Sequence, residues 1–505
     1  MTDKKNEAGR RIDTAGGISL SRYKEIIKSS ASILSSQFAS ALISIVFLAY
    51  FARVFSKEQM AIYATLTIFS SWNEVIGGLG MGTLLIKDVA GLNANGRQDE
   101  ANRLISSVFV YRTLGILLTC IVWAAAMPFV VGYFFVDNAN LKLVLLAVVI
   151  SFFMALRAQV GHVQVALQTF HARALINVGT TLVQRVFCVL GFFAWGQTGF
   201  YYGFLFGTLV GLGMGLWDIR QCFSAKLMPF REIIVASRGY WTLKWIRSGA
   251  MQADRPLVAV LLGPEGLASY HMVKRLYDNL YTAMTAFAVP MGVKFGEVLV
   301  EGRPQLTEFY RQSVAVIGFV FIPLGFFICA LGKPILALYG GAKYAADGQL
   351  LSAFGMTLIA VAFWTLLREA ALRLVSARHL ATQYLVTVAI TLTAYGLLIP
   401  LLGVTGVPVA MTLGFIIGCI PLARILFDQC ALVPPLDVLR SPGLFGVLLF
   451  AALYPLSFID NVVASLGLGG TIAVLMCLAW LTWCGPMEVK SIIRVTFRKF
   501  LPGRA

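Results

Sequence analysis

The sequence predicts an all-α polytopic membrane protein with about fourteen transmembrane helices, in a six plus six plus two arrangement. Three observations predict it. The 505 residues are 58% hydrophobic and only 13% charged, with a mean hydropathy of +0.79. A soluble chain would carry about a quarter charged residues. Apolar runs long enough to cross a bilayer, about 20 residues each, recur along the whole chain. Lys and Arg crowd into alternate connections between those runs, as the positive-inside rule requires.

Taken in order, residues 1–28 form a polar, basic arm that is cytoplasmic and too long before its first apolar run to be a signal peptide. Ser21–Ser30 has the pattern of a basic amphipathic helix suited to an anionic leaflet. The spans follow at 29–51, 59–80, 104–128, 143–163, 175–195 and 199–217, making a first six-helix lobe over 29–217. A basic linker with Pro229 occupies 218–242. The second lobe, 243–425, holds spans at 243–262, 268–290, 312–331, 349–367, 381–401 and 406–423. A C-terminal helix pair over 426–489 contains spans at 443–459 and 466–486, and a basic cytoplasmic tail covers 490–505.

This count places both termini inside and leaves the outer loops with only Arg53, Lys57, Lys142, Lys333 and Lys343. Most of the net charge of +17 is therefore topology, and nucleic acid is not an expected partner. The eight cysteines form no CxxC pair and mostly sit in apolar segments, so they predict neither a disulfide framework nor a metal site. No nucleotide-binding loop or catalytic triad is present, and no outer loop is long enough for a catalytic domain. A transporter is expected rather than an enzyme, with no cofactor.

Chemistry is concentrated in charges inside the spans, each of which costs a few kcal/mol at the bilayer centre. Residues 251–278 read MQADRPLVAVLLGPEGLASYHMVKRLYD and contain Asp254, Arg255, Lys274, Arg275 and Asp278. The short loop Gly263–Leu267 predicts an antiparallel hairpin, with Arg255 level with Arg275 and Asp254 one step away. An Asp254–Arg275 bridge is then the expected internal pair. His271, Lys274, Arg275 and Asp278 share one helical face, as do Arg247, Asp254 and Arg255. Four basic groups stand against two acidic ones, so two readings stay open: mutual pairing, or the lining of a polar path. The first lobe adds Arg157 and Arg185, while Arg112 is close enough to the inner surface to snorkel. Glu74 is its only acidic residue within a span. A basic excess in both lobes points to an anionic ligand, phosphate above all.

Four stretches carry a family resemblance. ARVFSKEQMAIYATL supplies Arg53 and Tyr63, with Ala61 where glycine is usual. GGLGMGTLLIKDVA follows it. ADRPLVAVLLGPEGLASYHMVKRL supplies Asp254, Gly263, Gly266 and Tyr270, and ALYGGAKYAADGQLL supplies Tyr339, Gly340 and Tyr344. In order and spacing across 29–425 the chain resembles the polysaccharide (O-antigen and exopolysaccharide) flippases of the multidrug/oligosaccharidyl-lipid/polysaccharide exporter superfamily. The resemblance implies two six-helix lobes around a V-shaped central cavity, rocking between inward-open and outward-open states, with the last two helices outside it.

It also implies an undecaprenyl-diphosphate-linked oligosaccharide as substrate, translocated across the bacterial inner membrane for lipopolysaccharide or exopolysaccharide synthesis. Polysaccharide polymerase and export proteins are the implied protein partners. Arg157, Arg185, Arg247, Arg255, Lys274 and Arg275 are the candidate substrate-binding groups. Asp254, Asp278 and Glu74 are candidate coupling or structural charges. Lipid II flippases share the same pattern. The drug/cation branch uses an acidic ion site, whereas the first span, 29–51, contains no Asp or Glu.

Overall fold

A computed structural model describes residues 20–134, 140–375 and 377–483, and every regular element among them is helical. Nine helical stretches among the described residues are long and apolar enough to cross a membrane. That number is lower than fourteen partly because Phe170–Cys222 and Thr382–Cys430 each count once although each contains a turn.

Helix α1 (Leu20–Val54) runs from the predicted amphipathic segment through the first span without a break. Ser56 then caps α2 (Lys57–Val75) in a reciprocal box with Gln59. The Gln59 amide donates to Ser56 Oγ at 3.1 Å, and the Ser56 amide donates to Gln59 Oε1 at 2.9 Å. Then come α3 (Met81–Ala94), α4 (Gln98–Phe134), α5 (Asn140–Ala166) and α6 (Phe170–Ile219). α6 is bent double at Trp195 and Gly196, where Gly196 has φ 60° and takes the left-handed turn. Its two arms pack backbone to backbone. A Cβ on Gly203 would lie 2.0 Å from the Phe187 carbonyl oxygen, and one on Gly207 would lie 2.3 Å from Gln184 Cα. Glycines four residues apart thus form the contact ridge.

Within the expected linker, α7 (Phe230–Lys244) starts directly after Pro229. The expected seventh span, 243–262, is not one helix. A π-helical turn at Trp245–Gly249 leads to the short helix Ala250–Gln252, and α8 (Asp254–Glu301) begins after a break at Ala253. Pro256 explains the break, because its ring excludes the carbonyl of Gln252 and it has no amide to donate. α8 itself folds back at Gly263, φ 69°, where the sequence predicts the hairpin.

α9 (Arg303–Gly340) bends at Leu331, three residues before Pro334, so its first part ends where the ninth span is predicted to end. α10 (Gly348–Leu374), α11 (Ala377–Leu402) and α12 (Gly406–Cys430) follow. α13 (Asp437–Leu453) and α14 (Val462–Trp483) form the terminal pair. Trp480 of α14 stacks on Phe445 of α13, with centroids 4.3 Å apart, and both pack against Leu331 of α9.

The chain divides into two compact units. One comprises residues up to Ser44, Met81–Thr113 and Phe153–Ala236; the other comprises Ile45–Gly80, Leu114–Phe152 and the chain from Ser237 onward. Helices α1, α4, α5 and α7 each contribute one end to each unit. Outward-facing Phe193, Leu401 and Val463 are each more than 70% exposed, as lipid contact demands.

Candidate functional site

In the second unit the break before α8 places Asp254 in the first turn of a helix, where unsatisfied amides and the helix dipole favour a carboxylate. The Arg255 amide donates to Asp254 Oδ1 at 2.7 Å. The fold at Gly263 brings the second arm alongside. Tyr270 Oη donates to Asp254 Oδ2 at 2.5 Å, and Lys274 Nζ lies 3.3 Å from the same oxygen. One turn on, Asp278 accepts from Arg255 Nη2 at 2.6 Å and lies 3.2 Å from Lys274.

The bridge expected between Asp254 and Arg275 is made instead by Lys274. Lys274 stands four residues from both Tyr270 and Asp278, so all three share the face that meets Asp254. Asp254, Arg255, Lys274 and Asp278 form a chain of two acids and two bases with no net charge. Asp254 is fully buried, and Lys274 and Arg255 are 4% and 8% exposed. Arg275 is half-buried and makes no ion pair with a described residue, yet it is close enough for its charge to act on Asp278 and His271. Arg247 lies in the π-helical turn, and its side chain falls outside the described residues. His271 is fully buried, edge-on to the Tyr63 ring at 5.4 Å.

Glu74 sits apart from this chain, at the end of α2, and pairs with Lys244 Nζ at 2.7 Å. Trp241 Nε1 donates to the Val75 carbonyl beside it. A further buried ion pair, Arg368 with Glu369, lies at the end of α10, with Arg368 over the Trp364 ring at 5.3 Å. The tenth span is predicted to end at 367, two residues too early to include this pair. The adjacency of Arg368 and Glu369 was the available signal.

The first unit holds Arg157 and Arg185. Arg157 Nη2 donates to Asn177 Oδ1 at 3.0 Å, and Asn177 reaches Ser40 Oγ at 3.4 Å. Arg185 is 9% exposed, and its guanidinium lies 5.5 Å from the Phe204 ring centroid. The two arginines are near enough to repel each other. Arg157 makes no ion pair with a described residue; its partner is a neutral amide. Arg112 does not snorkel. It is fully buried, and a Cβ on Gly82 would meet both Arg112 Nη1 and the His162 ring within about 3 Å. Gln159 and Gln164 spend their amides on structure, on the Phe109 carbonyl at 2.9 Å and on Asp218 at 2.8 Å. Among the described residues no group of His, Cys, Asp and Glu has metal-binding geometry.

The fold matches several solved transporters at low sequence identity. One, described as a lipid II flippase MurJ in an inward closed conformation, aligns with a TM-score of 0.71 and 16% identity, covering 89% of this chain and 97% of that one. An inward-facing multidrug resistance MATE transporter aligns with a TM-score of 0.63 and 13% identity, over 84% and 98%. A transporter of the same MOP superfamily from Pyrococcus furiosus aligns with a TM-score of 0.58 and 14% identity, over 84% and 96%. No curated protein matches the chain by sequence. The family model described as "Polysaccharide biosynthesis protein" matches residues 50–346, more than half of the chain. With a helical membrane fold of the MOP transporter type and that match, the chain belongs to the polysaccharide biosynthesis protein family.

Proposed function

We propose that this protein is an alternating-access flippase that carries an undecaprenyl-diphosphate-linked oligosaccharide across the bacterial inner membrane for surface polysaccharide synthesis. In this reading the chain has a cytoplasmic arm (1–28), lobes at 29–217 and 243–425, a linker, a terminal helix pair and a cytoplasmic tail. The observation that supports it best is Arg157: a half-buried guanidinium in a membrane helix, held by an amide and repelled by Arg185. Two cations so placed favour a polyvalent anion, and a diphosphate supplies the charge and the bidentate acceptors. The neutral chain at Asp254 serves in this reading as a scaffold, with Arg275 as the basic group it leaves over. An anion leaving a negative interior gains about 2.3 kcal/mol per charge per 100 mV, so membrane potential alone favours export.

Flipping of a fluorescent polyprenyl-diphosphate oligosaccharide in proteoliposomes tests this, comparing wild type with Arg157→Ala plus Arg185→Ala. Lost flipping in a well-folded double variant is expected; normal flipping would overturn the role of these arginines. The likeness in fold to a lipid II flippase favours a second reading, with lipid II as cargo. Labelled lipid II in the same vesicles decides between them. A cation-coupled multidrug exporter is disfavoured, because the first span has no carboxylate.

A further inference from the structure

The second unit contains an open apolar recess that takes no part in the ion network. Tyr310 and Val314 of α9, Phe363 and Leu367 of α10, Ile420 of α12 and Leu436 in the α12–α13 connection line it. Its lining is almost wholly apolar. It is open to the outside of the unit, with Ile420 and Leu436 64% and 72% exposed. Tyr310 lies in the first third of α9, and Leu367 and Ala423 lie in the last third of α10 and α12, toward the side where the connections are basic and which the charge pattern assigns to the cytoplasm.

Arginines surround this end of the unit. Arg303 opens α9, two turns before Tyr310 of the lining and on the same helical face. Arg311 pairs with Asp437 at 2.5 Å, and Arg424 lies 3.8 Å from Asp428. Arg440 is exposed, one residue beyond Leu439 in the lining. Neither Arg303 nor Arg440 makes an ion pair with a described residue.

We infer that this recess is a binding site for one acyl chain of an anionic phospholipid of the cytoplasmic leaflet, with the headgroup phosphate held by Arg303 and Arg440. The physical division of labour follows from the solvent. A chain moving from bilayer to recess exchanges one apolar surrounding for another, so the recess supplies shape but little selectivity. Selectivity lies in the rim, because each basic side chain near the membrane surface attracts anionic lipid. The bound chain would fill the space beneath the α12–α13 connection and hold α13 against α9. This rests on the chain spanning a membrane and not on the proposed cargo.

The test uses the full-length protein, delipidated in detergent. Dioleoyl phosphatidylglycerol and dioleoyl phosphatidylcholine are titrated separately, and bound lipids are counted by native mass spectrometry. One phosphatidylglycerol per chain should be retained, with roughly tenfold preference over phosphatidylcholine. Arg303→Gln plus Arg440→Gln, on the exposed rim, should remove the preference without unfolding the protein. Ala423→Trp, which fills the recess, should abolish retention of that lipid. Equal retention of the two lipids by wild type would overturn the inference. So would an unchanged preference in the rim variant, or displacement of phosphatidylglycerol by undecaprenyl phosphate at equal concentration, which would make the recess a cargo-tail site.

Discussion

Arg53 and Lys343 each hold the chain end that the other belongs to. Arg53, at the end of α1, donates to the carbonyls of Leu338 and Tyr339 at the end of α9, the latter at 3.3 Å. Lys343, just past the end of α9, donates to the carbonyls of Phe55 and, at 3.2 Å, Arg53 itself. Both helix C-termini expose carbonyls that lack intrahelical donors, and a cation is the favoured cap at that pole. Lys57 and Asp347, 3.9 Å apart, add an ion pair beside the clasp, and Ser269 donates to Asp347 at 2.7 Å.

Because the clasp is reciprocal, its members should be coupled. Arg53→Ala and Lys343→Ala are each expected to cost about 1–2 kcal/mol. The double variant should cost less than the sum by about 0.5 kcal/mol or more. A double-mutant cycle on thermal unfolding in detergent measures this, and strict additivity would show that the two cations act independently.

The chain Asp254–Lys274–Asp278–Arg255 predicts an asymmetry between single and paired substitutions. Asp254→Asn leaves two buried cations, Lys274 and Arg255, against the single carboxylate of Asp278 and should destabilise by about 3–5 kcal/mol. Adding Lys274→Met to Asp254→Asn removes the stranded charge and should recover most of that loss. Tyr270→Phe removes one donor to the carboxylate and should cost about 1.5–3 kcal/mol. Thermal melts of the three variants provide the comparison. A double variant no more stable than Asp254→Asn would contradict the pairing.

Close packing in α6 makes glycines at the arm contact unequal to glycines elsewhere on the same helix. Gly207→Ala forces a Cβ against Gln184 Cα and should destabilise by at least about 1–3 kcal/mol, since backbone must move. Gly213, whose Cβ would meet nothing within 4 Å, should accept alanine with no loss and a small gain from helix propensity. Expression level and melting temperature of the two variants report the difference.

Arg157 offers a test of geometry as well as charge. Arg157→Lys keeps the positive charge but loses the planar fork, so it should retain measurable flipping at roughly a tenth or less of the wild-type rate. Arg157→Gln should abolish it. Initial rates in the proteoliposome assay distinguish them, and equal rates for Lys and Gln would mean that charge at this position is irrelevant.

Helix locations were legible in the sequence because a span must be long, apolar and continuous in lipid, which is a local property of the chain. The hairpin at Gly263 was legible for a similar reason: a short loop leaves the arms no other arrangement. Pro256 and Pro334 also carried the breaks at Ala253 and Leu331, although the seventh span reads as one helix when hydropathy alone is followed. Partner choice was not legible. Hairpin register places Asp254 one step from Arg275 and two from Lys274, and only side-chain direction on the second arm selects Lys274.

What the sequence determined by itself is therefore the all-helical membrane character, the basic excess within the spans, and the motifs of the family. These depend on composition, period and order along the chain. Tertiary structure alone decided which charges cancel. It gave Arg255 and Lys274 to two aspartates, left Arg157 with an amide, buried Arg112, and joined Arg53 to the end of α9. Ion pairing in low dielectric is decided over a few ångströms, and residues that meet at that distance are separated by up to hundreds of positions in sequence.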